Sequence, residues 1–437
     1  MARCPGGHPL VIRNHPVDHE GRPFPTLFWL TCPDAVKAVS RVESEGWIKR
    51  LAARAESDTV FGEALESAHR EQADLRGQLV PGSEEWGGVG GTQAGVKCLH
   101  AHYANYLAGG ADPVGTWVGG QVEPVHQAAE GRVSAVDMGT NSIRLLVAEI
   151  VDDNVNEVAR DMIITRLGEG VDETGRLKQE ALSRTLAVLA RYVRRARALG
   201  AERVRVAATS AVRDAVSRDT LFKMVRTLAD AAPEVLSGEE EGGLSFLGAT
   251  QGLEHPAPFL VFDIGGGSTE LVLGTEEPES AASVDVGSVR ITERVRPADP
   301  PTLQDLEDMR QLAADGLAKA EAMVPPGTAT TLVGVAGTTT TIQAIALGLP
   351  RYDPEAIHRS VLTLADAERV SGELSRMTVA ERAALPIMAP GRADVIVAGS
   401  LILLEIFRRW GFDRCVVSEQ DILDGLVIEM VTGRWAG

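Results

Sequence analysis

The chain has 437 residues, 44% apolar and 24% charged, enough to build two or three buried cores in a soluble globular protein. Sixty-one acidic residues against 43 basic ones give a net charge of −18, which repels a bare polyanion at long range and argues against broad electrostatic nucleic-acid binding. No apolar run reaches the roughly 18 residues of a membrane span, and the start MARCPGGHPLVIRNHP lacks a signal-peptide pattern. A cytoplasmic protein without membrane association is expected, its four cysteines thiols or metal ligands rather than disulfides.

Residues 1–110 hold six of the nine histidines and three of the four cysteines, which sets them apart as a small α+β domain with metal-binding potential. Cys4, Cys32 and Cys98 with His100 or His102 have the donor types of a tetrahedral Cys₃His zinc site. On a helix over 96–107, Cys98 and His102 share a face at i,i+4 while His100 points away, so Cys4, Cys32, Cys98 and His102 are the expected Zn²⁺ ligands. The paired C-x₂-C spacing of secure zinc sites is missing, and buried inert cysteines are the competing account. Trp29 and Trp47 are expected in the core, and Gly82, Gly87, Gly88, Gly90 and Gly91 mark a loop. The pieces RCPGGHP, FPTLFWLTCP and VKCLHAH resemble a bacterial family known as domain of unknown function 501, which implies no activity. The Gly- and Pro-rich stretch over about 111–131 reads as a linker without periodicity.

From residue 132 onward, strand-like apolar runs alternate with helical patterns, as in an α/β architecture. Leu182, Leu186, Leu189 and Val193 form one apolar helix face, with Arg184, Arg191, Arg194 and Arg195 expected to turn outward into solvent. The segments VSAVDMGTNSIRLLVAE and FLVFDIGGGSTELVLGT align at a constant offset of 126, Asp137 on Asp263, Gly139 on Gly265 and Ser142 on Ser268. Each is a strand ending in Asp, a tight turn of small and hydroxyl residues, and a returning strand. Glycines in such turns let backbone N–H groups close on phosphate oxygens, and the strand-end aspartates supply hard oxygen ligands for Mg²⁺. Gly139, Thr140, Asn141, Ser142, Gly265, Gly266, Gly267, Ser268 and Thr269 are therefore the candidate phosphate-binding residues, with Asp137 and Asp263 the candidate metal ligands.

Twin phosphate turns of this kind resemble the superfamily of sugar kinases, actin and heat-shock chaperones. The motifs VDMGTNSIRLLVAE, LGEGVDETGRL, ATSAVRDA, VLSGEEEGGLSFLGA and VFDIGGGSTELV narrow the resemblance to the exopolyphosphatase / guanosine pentaphosphate phosphatase family. GVAGTTTTIQAIALGL, PGRADVIVAGSLILLEIF and VSEQDILDGLV extend it over about 132–432. The resemblance implies a two-lobed actin-like ATPase-type fold, with lobes at 132–255 and 256–437, that hydrolyses a terminal phosphoanhydride. It implies Mg²⁺ as cofactor, inorganic polyphosphate or guanosine pentaphosphate as substrate, and a homodimer. The chain stops without the helical extension of longer members and so resembles the short form.

By that resemblance Glu241, last of Ser237-Gly238-Glu239-Glu240-Glu241, is the general base, and Arg213 is a phosphate clamp. Glu239 and Glu240 read instead as favourable charge at a helix start capped by Ser237. Glu270 matches a cleft glutamate, though a plain strand residue fits its position nearly as well. Arg213 has an alternative as the ion-pair partner of Asp214, and Arg392 with Asp394 reads as a structural pair. Gly334 and Gly337 resemble the turn that holds adenosine in kinases, without the sequence marking a nucleotide site here. Removal of terminal phosphate from polyphosphate is the leading function, and cleavage of the 5′ terminal phosphate of guanosine pentaphosphate is the alternative. A kinase or actin-like ATPase, and a non-catalytic phosphate-ligand sensor, are the readings from other classes.

Overall fold

The computed structural model describes residues 2–3, 9–18, 22–24, 26–122, 131–151, 154–216 and 218–432. Two compact units divide the chain. One comprises Met1–Ser134, Leu145–Asp161 and Ala187–Val204; the other comprises Ala135–Arg144, Met162–Leu186 and Arg205–Gly437.

The first unit opens with an antiparallel sheet of β1 (Ala2–Arg3), β2 (Pro9–Arg13) and β3 (Phe28–Leu30) in that order. Helices Pro33–Ser44, Trp47–Ser57, Thr59–Leu79, Leu99–Leu107 and Pro113–Gln121 complete the expected α+β domain. The last helix lies where composition suggested an irregular linker. Asp112 caps it through Gly115 N–H, Pro113 fits its first turn, and Val114 and Val118 are fully buried. Glycine there permits close packing: a Cβ at Gly115 would strike the His102 carbonyl. Trp29 is 48% exposed, stacked on Phe24 rather than in the core, because its strand shows a buried–exposed–buried alternation. Trp47 is half-buried against Trp117.

The arginine run of helix Gln179–Ala198 also departs from expectation. Arg191 and Arg195 are buried; Arg191 donates to the Ala108 carbonyl (3.2 Å) and lies over the Phe28 ring. Arg194 binds the Gly109 carbonyl and Glu71, and Arg195 pairs with Asp161 at 2.7 Å. Long stems let these side chains cover apolar surface while their heads find acceptors, which periodicity alone does not reveal.

Two sheets organise the rest. The five-stranded sheet has the order β6-β5-β4-β7-β8, from β4 (Val133–Met138), β5 (Ser142–Val151), β6 (Asn154–Ile164), β7 (Arg203–Ala208) and β8 (Glu234–Val235). The six-stranded sheet has the order β11-β10-β9-β12-β14-β13, from β9 (Phe259–Ile264), β10 (Thr269–Gly274), β11 (Pro278–Val284), β12 (Thr331–Val335), β13 (Val361–Thr363) and β14 (Arg414–Val417). Each places three successive strands in reverse order and then crosses to the far side of the first, so the duplication seen in two motifs extends to the sheets. This is the α/β actin-like class expected.

Strand alternation decides what the second motif faces. Leu260, Phe262 and Ile264 enter the large core with Leu271 and the helix Ile396–Trp410. Phe259 and Val261 point the other way, onto Phe246, and Val272 joins them. Asp263 and Glu270 share the parity of that second face, so both turn toward the helix Gly238–Thr250. That helix meets the helix Ile422–Thr432 backbone to backbone: a Cβ at Gly248 would strike the Asp421 carbonyl, and one at Gly425 the Leu244 carbonyl. These two glycines bring Asp421 into the same neighbourhood.

Candidate active site

The twin turns are built alike. Gly139 N–H donates to the Ser142 carbonyl at 2.9 Å, and Gly265 N–H to the Ser268 carbonyl at 3.0 Å. Their carbonyls are tied down too: Thr140 O accepts from Gly168 N–H, Asn141 O from Thr165 and Arg166 N–H, and Gly266 O from Val289 and Arg290 N–H. The turns also touch. A Cβ on Gly267 would lie 2.5 Å from Ser210 Oγ and 3.0 Å from Thr140 Oγ1, so only glycine lets the second turn approach the first this closely. Ser210 Oγ is buried and without a hydrogen-bond partner at that point. Thr269 is different: its hydroxyl donates to the Val286 carbonyl at 2.6 Å, a structural bond that removes it from phosphate contact.

Behind the turns lies a concentration of buried charge. The Arg144 guanidinium binds Asp137 Oδ2 through Nε (3.0 Å) and Nη2 (2.7 Å), and reaches Asp421 through Nη1. Asp263 Oδ2 accepts from Ser245 Oγ at 3.1 Å. Glu270, directly opposite Asp263 across the β9–β10 ladder, accepts from Ser283 Oγ at 2.8 Å. Glu241 is 9% exposed and accepts from Arg213 Nη1 at 3.3 Å, while the same guanidinium nitrogen holds the Leu236 carbonyl at 2.9 Å. Ser245 follows Glu241 by one helical turn, so both look at the carboxylates from the same face.

Burial dominates the protonation of this group. It pushes Asp263 up to about 6, and with the adjacent Asp263 charge it pushes Glu270 up to about 8. Asp137 is raised by burial against the opposing pull of Arg144. Glu241 is raised well above the usual carboxylate range by burial and then by Glu270, Asp137 and Asp263, with Arg213 opposing. Carboxyls of Asp137, Glu241, Asp263, Glu270 and Asp421 thus stand against the guanidiniums of Arg144 and Arg213. Asp137 Oδ1 and Glu270 Oε2 are buried with no hydrogen-bond partner. Orphaned hard oxygens in excess of positive charge fit a divalent cation such as Mg²⁺.

The convergence includes Asp137, Gly139, Thr140, Arg213, Glu241, Asp263, Gly266, Gly267 and Glu270. It includes Arg144, Ser210, Ser245 and Asp421 as well, which sequence reasoning did not single out. One signal was available: Arg144 falls on Glu270 at the same offset of 126, so the duplicated position carries opposite charges. Arg213 pairs with Glu241, whereas Asp214 pairs with Arg290 at 2.7 Å. Glu240 forms a reciprocal capping box with Ser237, and Glu239 is exposed. Arg392 and Asp394 do not pair as expected; Asp394 binds Arg166 (2.8 Å), and Arg392 donates to Thr341 Oγ1. The Arg392 guanidinium lies against Gly337, and the Phe262 ring fills the space beside Gly334. A shallow recess of about 20 Å³ beside the turns is lined by Thr140, Ser210, Gly267, Asp172, Asp214 and Arg290. Its arginine is held by Asp172 and Asp214.

Among the described residues of the first unit, Cys32, Cys98 and His102 of the expected zinc set are not brought together. Cys4 lies outside the described residues, and Cys32 is a buried thiol. Cys98 is the N-cap of helix Leu99–Leu107 with extended backbone (φ −154°, ψ 120°), so its side chain does not share the helix face of His102 although His102 N–H donates to the Cys98 carbonyl. His102 is instead buried on Asp112 (Nδ1 to Oδ2, 2.8 Å) inside a polar network with Asn105 and Gln72. Cys98 Sγ faces His100 Nδ1 at 3.9 Å, which also lies 3.2 Å from Glu43 Oε1. The thiol contact and then the Val36 carbonyl and Glu43, against burial, push the His100 imidazole up to about 9.

Duplicated sheets, paired glycine-rich turns and a buried acidic cluster beside a helix-borne glutamate fit a phosphoryl-group hydrolase of the actin-like class. The chain belongs to the Ppx/GppA phosphatase family, whose model matches residues 146–433; a second model, a protein of unknown function (DUF501), matches 1–119. Exopolyphosphatase 2 of Mycobacterium tuberculosis is 46% identical over 313 residues, 68% of this chain and 98% of that protein. A bifunctional 3-dehydroquinate synthase/phosphatase of Fusobacterium nucleatum is 34% identical, over 69% of this chain and 47% of its own. Among solved structures, an exopolyphosphatase-like protein aligns at 36% identity with a TM-score of 0.67, covering 70% of this chain and all of the other. A Ppx/GppA family member from Aquifex aeolicus aligns at 30% and 0.61, over 70% and 99%. Among the described residues, no helix is long and apolar enough to cross a membrane.

Proposed function

We propose that this chain is an exopolyphosphatase that removes the terminal phosphate of inorganic polyphosphate by attack of water, with Glu241 as the general base. The observation that carries this reading is the placement of Glu241, raised well above the usual carboxylate range, one helical turn from Ser245 and beside Asp137, Asp263 and Glu270. Hydrolysis of a phosphoanhydride needs a held terminal phosphate, an oriented water and a proton acceptor. The Gly139–Ser142 and Gly265–Ser268 turns present backbone N–H groups, and Thr140 and Ser210 present hydroxyls, to hold the phosphate. Glu241 orients the water and takes its proton, and Arg213 fixes the direction of that carboxylate. Asp137, Asp263 and Glu270 would hold Mg²⁺, which when bound neutralises charge on substrate and carboxylates.

Polyphosphate is taken as the substrate in preference to guanosine pentaphosphate because the relative that shares 46% identity over 313 residues is an exopolyphosphatase. The test is phosphate release by the full-length chain from polyphosphate and from guanosine pentaphosphate, each with Mg²⁺ and with chelator. Faster Mg²⁺-dependent release from polyphosphate supports the reading. Preference for guanosine pentaphosphate moves the substrate to the alternative, and inertness toward both removes the function.

A further inference from the structure

The trio Glu43, Cys98 and His100 is independent of the phosphatase site. Helix Pro33–Ser44 presents Val36, Ser40 and Glu43 along one face at i, i+4 and i+7. His100 Nε2 lies 3.1 Å from the Val36 carbonyl and 3.1 Å from Ser40 Oγ, and the Ser40 hydroxyl proton is already donated to Val36 O at 2.8 Å. A carbonyl only accepts, so Nε2 carries a ring proton, and Nδ1, which faces the Glu43 carboxylate and the Cys98 thiol, is the nitrogen on which a cation would take the place of a proton. A second N–H held by a backbone carbonyl is the arrangement that orients a metal-binding histidine.

Nδ1 meets both remaining donors. Glu43 Oε1 is 3.2 Å away and Cys98 Sγ 3.9 Å, and the three ligand atoms lie within 4.8 Å of one another. A catalytic Cys–His–Glu triad would put the thiol and the carboxylate on opposite ring nitrogens; here they share one. Tetrahedral zinc bonds of about 2.0–2.3 Å imply ligand separations of roughly 3.3–3.6 Å, so His100 Nδ1 already stands within a few tenths of an ångström of that spacing from both donors, and Glu43 Oε1 and Cys98 Sγ would close on each other from no more than 4.8 Å. Cys98 occupies the N-cap of helix Leu99–Leu107 without capping it, because Glu43 Oε1 takes the Leu99 N–H at 2.6 Å. The thiol is therefore not consumed by the helix end. His100 and Glu43 side chains are 21% and 24% exposed, which leaves solvent access to a fourth position.

We infer that the N-terminal unit binds one zinc-class divalent ion through Glu43 Oε1, Cys98 Sγ and His100 Nδ1, with the fourth position open to water or an exogenous ligand. Sulfur and imidazole donors select a zinc-class ion over Mg²⁺. Three protein ligands and one open position are the pattern of zinc sites that activate water rather than staple a fold.

The probe is Co²⁺ added to chelator-treated full-length protein, followed by absorption spectroscopy, with Zn²⁺ competition. Expected is one equivalent that gives a thiolate-to-cobalt charge-transfer band, lost in Cys98→Ser and weakened at least ~10-fold in His100→Gln, and unchanged in His102→Gln and Cys32→Ser. Far-ultraviolet circular dichroism and thermal unfolding of the full-length chain report that each variant is folded. Should Cys98→Ser fail that check, Glu43→Gln replaces it and is expected to weaken Co²⁺ at least ~10-fold. No thiolate band in the parent protein overturns the inference. So does a band that survives Cys98→Ser, or one lost in His102→Gln but kept in His100→Gln.

Discussion

Glu241→Gln separates what the buried carboxylate does for chemistry from what it costs the fold. The amide keeps the shape and an oxygen that still accepts from Arg213 Nη1, now 3.3 Å away, but it cannot take a proton from water. Loss of a positioned general base is worth about 10²–10⁴ in kcat, or about 3–5 kcal/mol in the barrier. Substrate affinity should hold or tighten, because one negative charge leaves a site that receives a polyanion. Stability should move the other way from activity: Glu241 is buried among Glu270, Asp137 and Asp263 with one guanidinium opposing them, so a neutral side chain relieves repulsion. The assay is steady-state phosphate release at several pH values, with polyphosphate binding and thermal unfolding measured on the same preparations. The parent kcat should rise with pH as Glu241 loses its proton, and the residual rate of the variant should be flat. A variant kcat within about threefold of the parent, or a defect confined to binding, refutes the assignment of Glu241 as base.

Three further outcomes follow from the same geometry. Arg144→Ala leaves Asp137 and Asp421 without their shared guanidinium and should destabilise the chain by about 3–5 kcal/mol in urea unfolding, with Mg²⁺ restoring part of the loss. Gly267→Ala places a methyl against Ser210 Oγ and Thr140 Oγ1; kcat/KM should fall at least ~10-fold for a stability cost of about 1–3 kcal/mol. The third concerns pH. Asp263 and Glu270 titrate higher folded than unfolded, so the native state binds more protons and metal-free stability declines as pH rises from about 4 through about 6 and about 8. Asp263 accounts for about 3 kcal/mol of that decline. Mg²⁺ should flatten it, which chemical denaturation at pH 5 and pH 8 with and without the ion will measure.

Much of this protein is written in local pattern. A hairpin with an aspartate at its strand end repeats at an offset of 126, and each copy folds through the same Gly-to-Ser backbone bond, because turn chemistry is a property of a few adjacent residues. Ser237 with Glu240 is likewise a complete capping signal within four residues. Tertiary structure decided the rest. Arg144 pairs with Asp421, 277 residues away, only because Gly248 and Gly425 let two helix backbones touch. Helix periodicity assigned Arg191 and Arg195 to solvent, yet long stems and distant carbonyl acceptors bury them. The helix Leu99–Leu107 starts one residue after Cys98, which exchanges His102 for His100 as the neighbour of that thiol. Spacing along a chain names the chemistry available; which groups meet depends on where elements start and how closely backbones approach, and packing sets both.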